Sequence, residues 1–259
     1  MKLKDRAAIV TGGGSGIGLA IAELFAKEGA KVALNDIDVG RGASEASRID
    51  DSYGSCIFVE GDISKPENCK NLVEAAVKEF GSADILVNNA GLQYVSPIDE
   101  FPEDKWELLL GVMLTGAFYC TKYAFPHMKR NKFGRVVNIS SIHGMIGVKF
   151  KSAYVAAKHG LVGLTKVTAL EGAEHGVTAN AVCPTFVRTP LVENQIDAQA
   201  EAHGIPRDEV IEKIILAEAP MKRMLEPVEV AELCLYLTGE AAKNITGATI
   251  PIDEGWTAQ

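Results

Sequence analysis

The sequence predicts an α/β fold, in which a doubly wound parallel sheet of about seven strands carries helices on both faces. Two observations support this fold class. Short apolar runs of strand character recur along the chain, and longer segments with helical periodicity separate them. Strands that alternate with helices in this way pair in parallel, because each right-handed crossover returns the chain to the same edge of the sheet.

Seven short apolar runs are predicted as strands: Ala7–Val10, Lys31–Leu34, Cys56–Val59, Ile85–Asn88, Arg135–Ile139, Thr178–Val182 and Ala248–Pro251. Segments with helical periodicity lie between them, among them Gly18–Glu28, Glu67–Phe80, Trp106–Lys129 and Ser152–Glu171. The sequence shows no linker, repeat or low-complexity tract. We therefore expect residues 1–259 to form a single domain.

The stretch from Thr189 to Pro220 interrupts the alternation of strands and helices. It is charged, contains three prolines and carries two short helical patterns. Insertions of this length in compact α/β domains are usually functional. We therefore interpret residues 189–220 as a helical lid over a site, with a surface decoration as the alternative.

Composition excludes several classes of protein. The chain is 47% hydrophobic and 23% charged, as in folded soluble proteins. Its longest uncharged run, Ala7–Ala22, is rich in glycine and shorter than the roughly 20 residues of a membrane helix. The formal net charge of −8 disfavours nucleic acid and anionic lipid as partners.

The cysteines and the first residues bear on the cellular compartment. The five cysteines are scattered and never form a CxxC pair, so we expect neither a metal site nor a disulfide framework. The first residues lack the apolar stretch of a signal peptide. The expected location is the cytoplasm.

A glycine-rich turn follows the first predicted strand. Glycines there let the backbone approach a pyrophosphate, and the next helix offers free N–H groups at its N-terminus. The residues concerned are Gly12, Ser15, Gly16, Ile17 and Gly18, with the spacing GxxxGxG and not GxGxxG. Alone, this pattern is weak evidence for a nucleotide site.

Residues at the ends of other predicted strands should lie beside this turn, on the rim of the sheet where the carboxyl ends of the parallel strands meet. Asp36 ends the second strand 18 residues after Gly18, which suits a carboxylate that binds the adenosine ribose hydroxyls. Because a carboxylate repels a 2′-phosphate and no cation follows before Arg41, the expected cofactor is NAD. After the third and fourth strands, Asp62 and the segment with Asn89, Ala90 and Gly91 complete the rim.

Ser141, Tyr154 and Lys158 form the candidate catalytic set. Ser141 lies at the end of the fifth strand, and Tyr154 and Lys158 follow with a spacing of four residues. Residues at i and i+4 share one face of a helix, so the ammonium should lie beside the phenol and lower its pKa. Tyr154 could then act as an acid and a base. A single YxxxK pattern arises readily by chance, and the combination of motifs carries the argument.

These motifs together resemble the short-chain dehydrogenase/reductase family. The resemblance rests on TGGGSGIG, NNAG, Ser141, YVAAK and CPTFVRTP, in that order, and covers essentially the whole chain. It implies a Rossmann-type sheet, a tetramer, and hydride transfer between a nicotinamide and a carbinol carbon. It also implies that Tyr154 is the general acid and base, that Ser141 binds the substrate oxygen, and that Lys158 binds the nicotinamide ribose and tunes Tyr154. Further cofactor contacts implied by the resemblance are Ile63, Pro184, Val187 and Thr189.

Within that family, a narrower set of residues is similar to the bacterial D-3-hydroxybutyrate dehydrogenases. The resemblance implies that a small anionic substrate is bound by Gln93, His143, Lys151, Phe186, Gln195 and Trp256. Two potential cations and two amides suit one carboxylate. The implied reaction is the reversible, NAD-dependent oxidation of (R)-3-hydroxybutyrate to acetoacetate.

Alternatives remain open. One is a dehydrogenase of this family that acts on a polyol, a sugar or a 3-oxoacyl thioester. Another is a nucleotide-sensing regulator without catalysis.

Three positions depart from the family pattern. Met113 replaces an asparagine that many relatives use in a proton relay, so a relay here must use the main chain or another route. Thr185 replaces a glycine beside the nicotinamide. Phe186 stands where close relatives often carry tryptophan, which predicts a pocket with room for a slightly longer acid.

Overall fold

Runs of apolar residues form the strands of one parallel sheet. In the computed structural model, which describes residues 1–258, the strands are β1 (Ala7–Thr11), β2 (Lys31–Asp36), β3 (Cys56–Glu60), β4 (Ile85–Asn88), β5 (Gly134–Ile139), β6 (Val177–Pro184) and β7 (Thr249–Ile252). They lie in the order β3-β2-β1-β4-β5-β6-β7, and every pair is parallel. The strand order reverses between β1 and β4. Ligands of such sheets bind beyond the strand ends at this reversal.

Helices cover both faces of the sheet. They are α1 (Gly16–Lys27), α2 (Val39–Tyr53), α3 (Pro66–Phe80), α4 (Glu103–Leu110), α5 (Gly116–Asn131), α6 (Ser152–Gly172), α7 (Pro190–Glu193), α8 (Ile196–His203) and α9 (Pro227–Thr238). The predicted α/β class is therefore confirmed.

Two apolar cores lie on opposite faces of the sheet, and alternate residues of each strand point into one or the other. Val10 of β1 packs with Phe25 of α1 and Val230 of α9, whereas its neighbour Ile9 packs with Leu72 of α3 on the other face. Successive strand side chains point to opposite faces, so strands buried on both sides read as continuous apolar runs.

The predicted helix Trp106–Lys129 differs from the structure in one respect. A turn of π-helix, Gly111–Thr115, joins α4 to α5 and contains Met113. Hydrophobic periodicity does not reveal one extra residue in a turn, and π turns often occur at functional sites. Among residues 1–258, the continuous segment Glu103–Asn131 is also the one helix long and apolar enough to cross a membrane. Cys120 and Ala124 on its inner face are fully buried in the core beside α3.

The predicted insertion forms a small helical unit with its own core. After α7 and α8, a turn of 3₁₀-helix (Arg207–Glu209) and a π turn (Ile211–Ile215) lead towards α9. Val192, Ile196, Val210, Ile215 and Met224 form the apolar cluster of this unit. Phe186 packs against that cluster and also lines the cleft described next. The insertion therefore lies directly beside the cleft.

Candidate active site

A cleft of about 460 Å³ opens beyond the carboxyl ends of the strands. The structure brings most predicted site residues to its wall: Gly12, Ser15, Gly16, Ile17, Asp36, Asp62, Ile63, Asn89, Ala90, Gly91, Gln93, Ser141, His143, Lys151, Tyr154, Lys158, Pro184, Phe186, Val187, Thr189 and Gln195. Gly18 and Trp256 lie behind this wall. A Cβ on Gly18 would lie 2.2 Å from the Gly12 carbonyl oxygen, so glycine allows the loop and α1 to pack together. The Trp256 ring packs against the His143 and Phe186 rings.

The glycine-rich loop and the start of α1 form one half of the cleft. Gly12 and Gly16 have φ angles of 61° and 55°, which other residues rarely adopt. The Ser15 side chain does not cap α1, so the first N–H groups of a 12-residue helix face the cleft without a side-chain acceptor. A pyrophosphate fits this arrangement of donors.

Asp36 closes the far end of this half. Its Oδ2 accepts a 2.9 Å hydrogen bond from the Gly14 N–H, and its Oδ1 accepts one of 3.0 Å from the Asp38 N–H. A Cβ on Gly14 would lie 2.8 Å from Asp36 Oδ2, so the loop needs glycine there. Arg41, the first cation after β2, is paired with Asp38 at 2.6 Å. The Asp36 carboxylate is thus held in place and could accept hydrogen bonds from a ribose diol. Arg41 is already paired with Asp38 and is not free to bind a phosphate.

Asn89 holds the loop from the other side. Its Nδ2 donates to the carbonyl oxygens of Thr11 and Gly12 at 2.9 and 3.0 Å. The Thr11 hydroxyl in turn accepts hydrogen bonds from the Asn89 and Ala90 N–H groups. The sequence predicted that Asn89 lies at this end of the sheet, but it did not predict a role for Thr11. The only feature of the sequence that points to Thr11 is its position at the end of β1.

Tyr154 and Lys158 lie one turn apart on α6, as their spacing predicts. The Lys158 Nζ is 5.5 Å from the centre of the Tyr154 ring and donates a 2.7 Å hydrogen bond to the Ile139 carbonyl oxygen at the end of β5. Burial lowers the pKa of Lys158 to about 8. Ser141 is oriented by two contacts, since its Oγ donates to the Pro184 carbonyl oxygen and accepts from the His143 N–H.

The pKa of Tyr154 corrects a sequence-based expectation. The spacing predicts that Lys158 lowers it, but burial raises the pKa of Tyr154, and a hydrogen bond with Ser141 acts against that shift. The physical reason is that the Lys158 ammonium is directed to Ile139 and is itself desolvated. In the chain without cofactor, Tyr154 is therefore a protonated donor.

Met113 lies in the apolar layer beside these groups. It is 2% exposed and packs with Leu109, Ala153, Ala157 and Tyr154. A Cβ on Gly91 would lie 3.9 Å from Met113 Sδ and 4.0 Å from Lys158 Nζ, so Met113 and Lys158 both flank Gly91. The thioether offers only a weak acceptor at this point.

Lys151 and Gln195 connect the half of the cleft that holds Ser141, Tyr154 and Lys158 to the insertion. Lys151 is 2% exposed, and its Nζ donates a 3.0 Å hydrogen bond to Gln195 Oε1 at the start of α8. The ammonium also lies 5.1 Å from the centre of the Phe186 ring. Burial lowers the pKa of Lys151 to about 8, with no acidic group counteracting the shift. Because both partners are neutral, the ammonium is a buried charge without a counter-charge among residues 1–258.

His143 and Gln93 flank the same space. His143 is buried, and its Nδ1 has no hydrogen-bond partner within residues 1–258. Burial and the nearby Lys151 lower the pKa of His143 to about 3, so the ring is neutral at physiological pH. The Gln93 oxygen accepts a hydrogen bond from the Tyr94 N–H, which leaves its NH₂ group as the donor for a ligand. The sequence suggested that both Lys151 and His143 could be cations, whereas in the structure only Lys151 provides a positive charge.

Several cleft residues were missed by sequence reasoning. Leu92, Leu108, Val112, Leu191 and Val192 supply apolar wall, and Asn35 and Ser140 supply polar atoms that brace the backbone. Their residue types carry no chemical signature, so only proximity to a strand end or to the insertion could have found them. Within residues 1–258, no group of three or more His, Cys, Asp or Glu side chains is arranged to hold a metal ion.

Comparison with known proteins agrees with this geometry. Residues 12–257 match the family model described as enoyl-(acyl carrier protein) reductase. The chain is 45% identical to a D-beta-hydroxybutyrate dehydrogenase of Rhizobium meliloti over 98% of this chain and 99% of the relative. It is 43% identical to a D-beta-hydroxybutyrate dehydrogenase of Cupriavidus necator over 99% of this chain and 100% of the relative.

Other relatives carry other names. The chain is 37% identical to a cis-4-hydroxycyclohexanecarboxylate dehydrogenase of Sinomonas cyclohexanicum over 98% of this chain and 97% of the relative. The matching sequences, the parallel sheet and the Ser141, Tyr154 and Lys158 arrangement agree, and they identify an oxidoreductase that uses a nicotinamide cofactor. The chain belongs to the short-chain dehydrogenase/reductase family.

Proposed function

We propose that this oxidoreductase catalyses the reversible, NAD-dependent oxidation of (R)-3-hydroxybutyrate to acetoacetate. The observation that carries the proposal is the buried Lys151 ammonium, whose partners are the Gln195 amide and the Phe186 ring. A buried charge without a counter-charge is costly, and a substrate carboxylate would supply one. The relatives named D-beta-hydroxybutyrate dehydrogenase support the same substrate.

NAD is the proposed cofactor because of the surroundings of Asp36. The carboxylate is fixed by the Gly14 and Asp38 N–H groups and would accept hydrogen bonds from the adenosine ribose. A 2′-phosphate at the same place would meet this negative charge, while Arg41 is engaged by Asp38. The glycine-rich loop and the start of α1 would hold the pyrophosphate, and Lys158 the nicotinamide ribose.

In the proposed oxidation, the proton and the hydride leave the substrate by different routes. When bound, NAD supplies the hydride acceptor for the C3 hydrogen and the positive charge of its nicotinamide ring. Tyr154 accepts the proton of the C3 hydroxyl as the carbonyl forms, and in the reverse reaction it donates that proton. Ser141 holds the reacting oxygen by a hydrogen bond. The Lys158 ammonium would stabilise the tyrosinate, the form that Tyr154 must have before it accepts the proton and that it regains when it donates the proton in the reverse reaction.

Other residues hold the carboxylate of the substrate. Lys151 contributes the charge, and Gln195, Gln93 and neutral His143 contribute hydrogen-bond donors. Gln195 belongs to the insertion and already contacts Lys151, so capture of the carboxylate would hold the insertion against the cleft and exclude water. The ring of Phe186, backed by Trp256, would contact the substrate methyl group.

A second candidate is a larger hydroxy acid. The relative named cis-4-hydroxycyclohexanecarboxylate dehydrogenase also acts on a compound that carries a hydroxyl and a carboxylate. Phe186, in place of the larger tryptophan, would leave room for a longer acid. The polyol, sugar and thioester alternatives fit less well, because they give the Lys151 ammonium no carboxylate partner.

The proposal is tested by initial rates of NADH formation with the wild-type protein. The substrates are (R)-3-hydroxybutyrate, its S enantiomer, its methyl ester, 2-butanol and cis-4-hydroxycyclohexanecarboxylate. We expect the highest kcat/KM with (R)-3-hydroxybutyrate and NAD. A higher value with the cyclohexane acid would favour the second candidate. Equal values with the ester or 2-butanol would refute carboxylate recognition.

We also propose that the protein is a homotetramer in the cytoplasm, acting on small molecules and binding neither nucleic acid nor membranes. Apolar side chains on α5 and α6 support self-association, since Phe118, Val167 and Leu170 are 45%, 53% and 80% exposed. The five cysteines are buried and free, which suits a reducing compartment. Analytical ultracentrifugation tests the tetramer, and a monomeric species at micromolar concentration would contradict it.

A further inference from the structure

A second groove opens at the amino ends of the strands, on the side of the sheet opposite to the cleft. It has a volume of about 530 Å³ and lies where β5 and β6 begin. Its polar side chains come from Lys132, Arg135, Thr178, Glu240, Lys243, Asn244 and Thr246. The groove shares no lining residue with the cleft.

Arg135 is a buried cation with incomplete pairing. It is 4% exposed, and its Nη1 donates to the carbonyl oxygens of Gly134 and Gly176 at 2.8 and 3.1 Å. Its Nε has no hydrogen-bond partner within residues 1–258, and in that part of the chain no carboxylate lies within ion-pair distance. An arginine side chain stays charged, so burial without an anionic partner is costly.

Thr178 places a second free donor beside Arg135. The two residues are register partners on β5 and β6, and partners in adjacent strands point to the same face of the sheet. Thr178 is 6% exposed, and its Oγ1 also lacks a hydrogen-bond partner among the described residues. Thr246 adds a third hydroxyl, whose oxygen accepts from the Ala179 N–H and whose proton is left to donate.

The charge around the groove is positive although the whole chain is acidic. Lys132, Arg135 and Lys243 line it against a single lining carboxylate, Glu240. Arg6 adds a further cation nearby, because the guanidinium carbons of Arg6 and Arg135 lie 3.6 and 4.2 Å from the centre of the same Phe133 ring. Positive charges around one groove repel one another, and an anion bound among them would offset that repulsion.

We propose that this groove binds a phosphate-type oxyanion. Arg135 Nε and the Thr178 hydroxyl would bind the inner oxygens, and Lys132, Lys243 and Thr246 would bind the outer ones. The chemistry fits both free phosphate and the phosphoryl group of a larger metabolite, since the groove is open to solvent on its outer side. The proposal is independent of the substrate proposed for the cleft.

Binding is measured by titrating inorganic phosphate into the full-length protein by calorimetry. The protein is saturated with NAD, so that the glycine-rich loop is filled, and sodium chloride keeps the ionic strength constant. We expect saturable binding with a Kd of about 1 mM or tighter. Thr178→Val removes the hydroxyl and keeps the shape of the side chain, and it should weaken binding by about 10-fold or more.

Two further variants locate the bound anion. The double variant Lys132→Ala, Lys243→Ala changes exposed side chains only and should also weaken binding by about 10-fold or more. Lys151→Ala, in the cleft, is the matched control for phosphate that binds in the substrate site, and it should retain the binding of wild type. A thermal melt without phosphate verifies that each variant is folded.

A phosphomonoester distinguishes the two sources of the oxyanion. Phenyl phosphate that binds more tightly than inorganic phosphate would assign the groove to a phosphorylated metabolite, and weaker binding would assign it to free phosphate. The proposal is overturned if the NAD-saturated protein shows no saturable binding, or if binding is lost in Lys151→Ala and unchanged in the groove variants.

Discussion

The Asp36 carboxylate accepts a 2.9 Å hydrogen bond from the Gly14 N–H, which joins the end of β2 to the glycine-rich loop. The loop therefore holds the carboxylate in place before any cofactor arrives. A residue with a side chain at position 14 would collide with this carboxylate, since a Cβ there would lie 2.8 Å from its oxygen. The proposed recognition of the ribose and the shape of the loop thus depend on the same hydrogen bond.

Asp36→Ala should reduce the preference for NAD over NADP by about 10-fold or more, because it removes both the ribose acceptor and the repulsion of a 2′-phosphate. Asp36→Asn is the matched control, since it removes the charge and keeps one of the two acceptor oxygens. The measurement is kcat/KM with each cofactor. Equal use of NAD and NADP by the wild type would show that Asp36 does not select the cofactor.

Tyr154→Phe should lower kcat by at least about 100-fold, since the substitution removes the proton that the reaction exchanges. NAD affinity, measured by the quenching of protein fluorescence, should stay close to that of wild type because the ring remains. If Tyr154→Phe kept more than about a tenth of the wild-type rate, another group would have to carry the proton.

Met113→Asn should lower the melting temperature and leave kcat unchanged or reduced. The reason is that Met113 is buried among Leu109, Ala153 and Ala157. Burying an amide among these apolar side chains costs free energy, because few hydrogen-bond partners are available. Met113→Leu, which keeps the volume, is the control and should be nearly neutral. A faster Met113→Asn enzyme would instead indicate a relay that needs a polar side chain at this position.

The pH dependence of substrate binding should follow Lys151. Burial lowers the pKa of Lys151 to about 8, so its ammonium form dominates below that pH and is lost above it. KM for 3-hydroxybutyrate should therefore be flat from pH 6 to about 8 and rise at higher pH. Lys151→Arg should move this rise to higher pH, because a guanidinium stays charged.

His143 should add no inflection to the same profile. Burial lowers the pKa of His143 to about 3, so the ring is already neutral throughout the range in which the enzyme is assayed. A break in KM near pH 6.5 that disappears in His143→Gln would show that the ring is charged when the substrate binds.

Sequence patterns predicted the sheet and the edge at which the site lies. Strand ends are set by local apolar runs, and parallel strands bring their carboxyl ends together, so Asp36, Asn89 and Ser141 were expected on one rim. The i, i+4 spacing likewise placed Tyr154 beside Lys158. These features depend on periodicity, which a single sequence contains.

Other features depend on tertiary contacts that periodicity does not encode. The direction of the Lys158 ammonium is set by the Ile139 carbonyl oxygen, and the raised pKa of Tyr154 is set by burial. The π turn at Met113 adds one residue to a turn without changing the apolar pattern. Arg135 begins the predicted strand Arg135–Ile139, and only the register with Thr178 brings two free donors together.

The central claim is that the cleft recognises a hydroxy acid through the charge on Lys151, and kcat/KM of Lys151→Ala tests it most directly. We expect kcat/KM for (R)-3-hydroxybutyrate to fall by about 10- to 150-fold, the loss of one charge-assisted hydrogen bond, with NAD affinity unchanged. The methyl ester and 2-butanol should be poor substrates of the wild type and should respond little to the substitution. An equal loss of activity on the acid and on the neutral alcohols, or no loss on the acid, would contradict the claim.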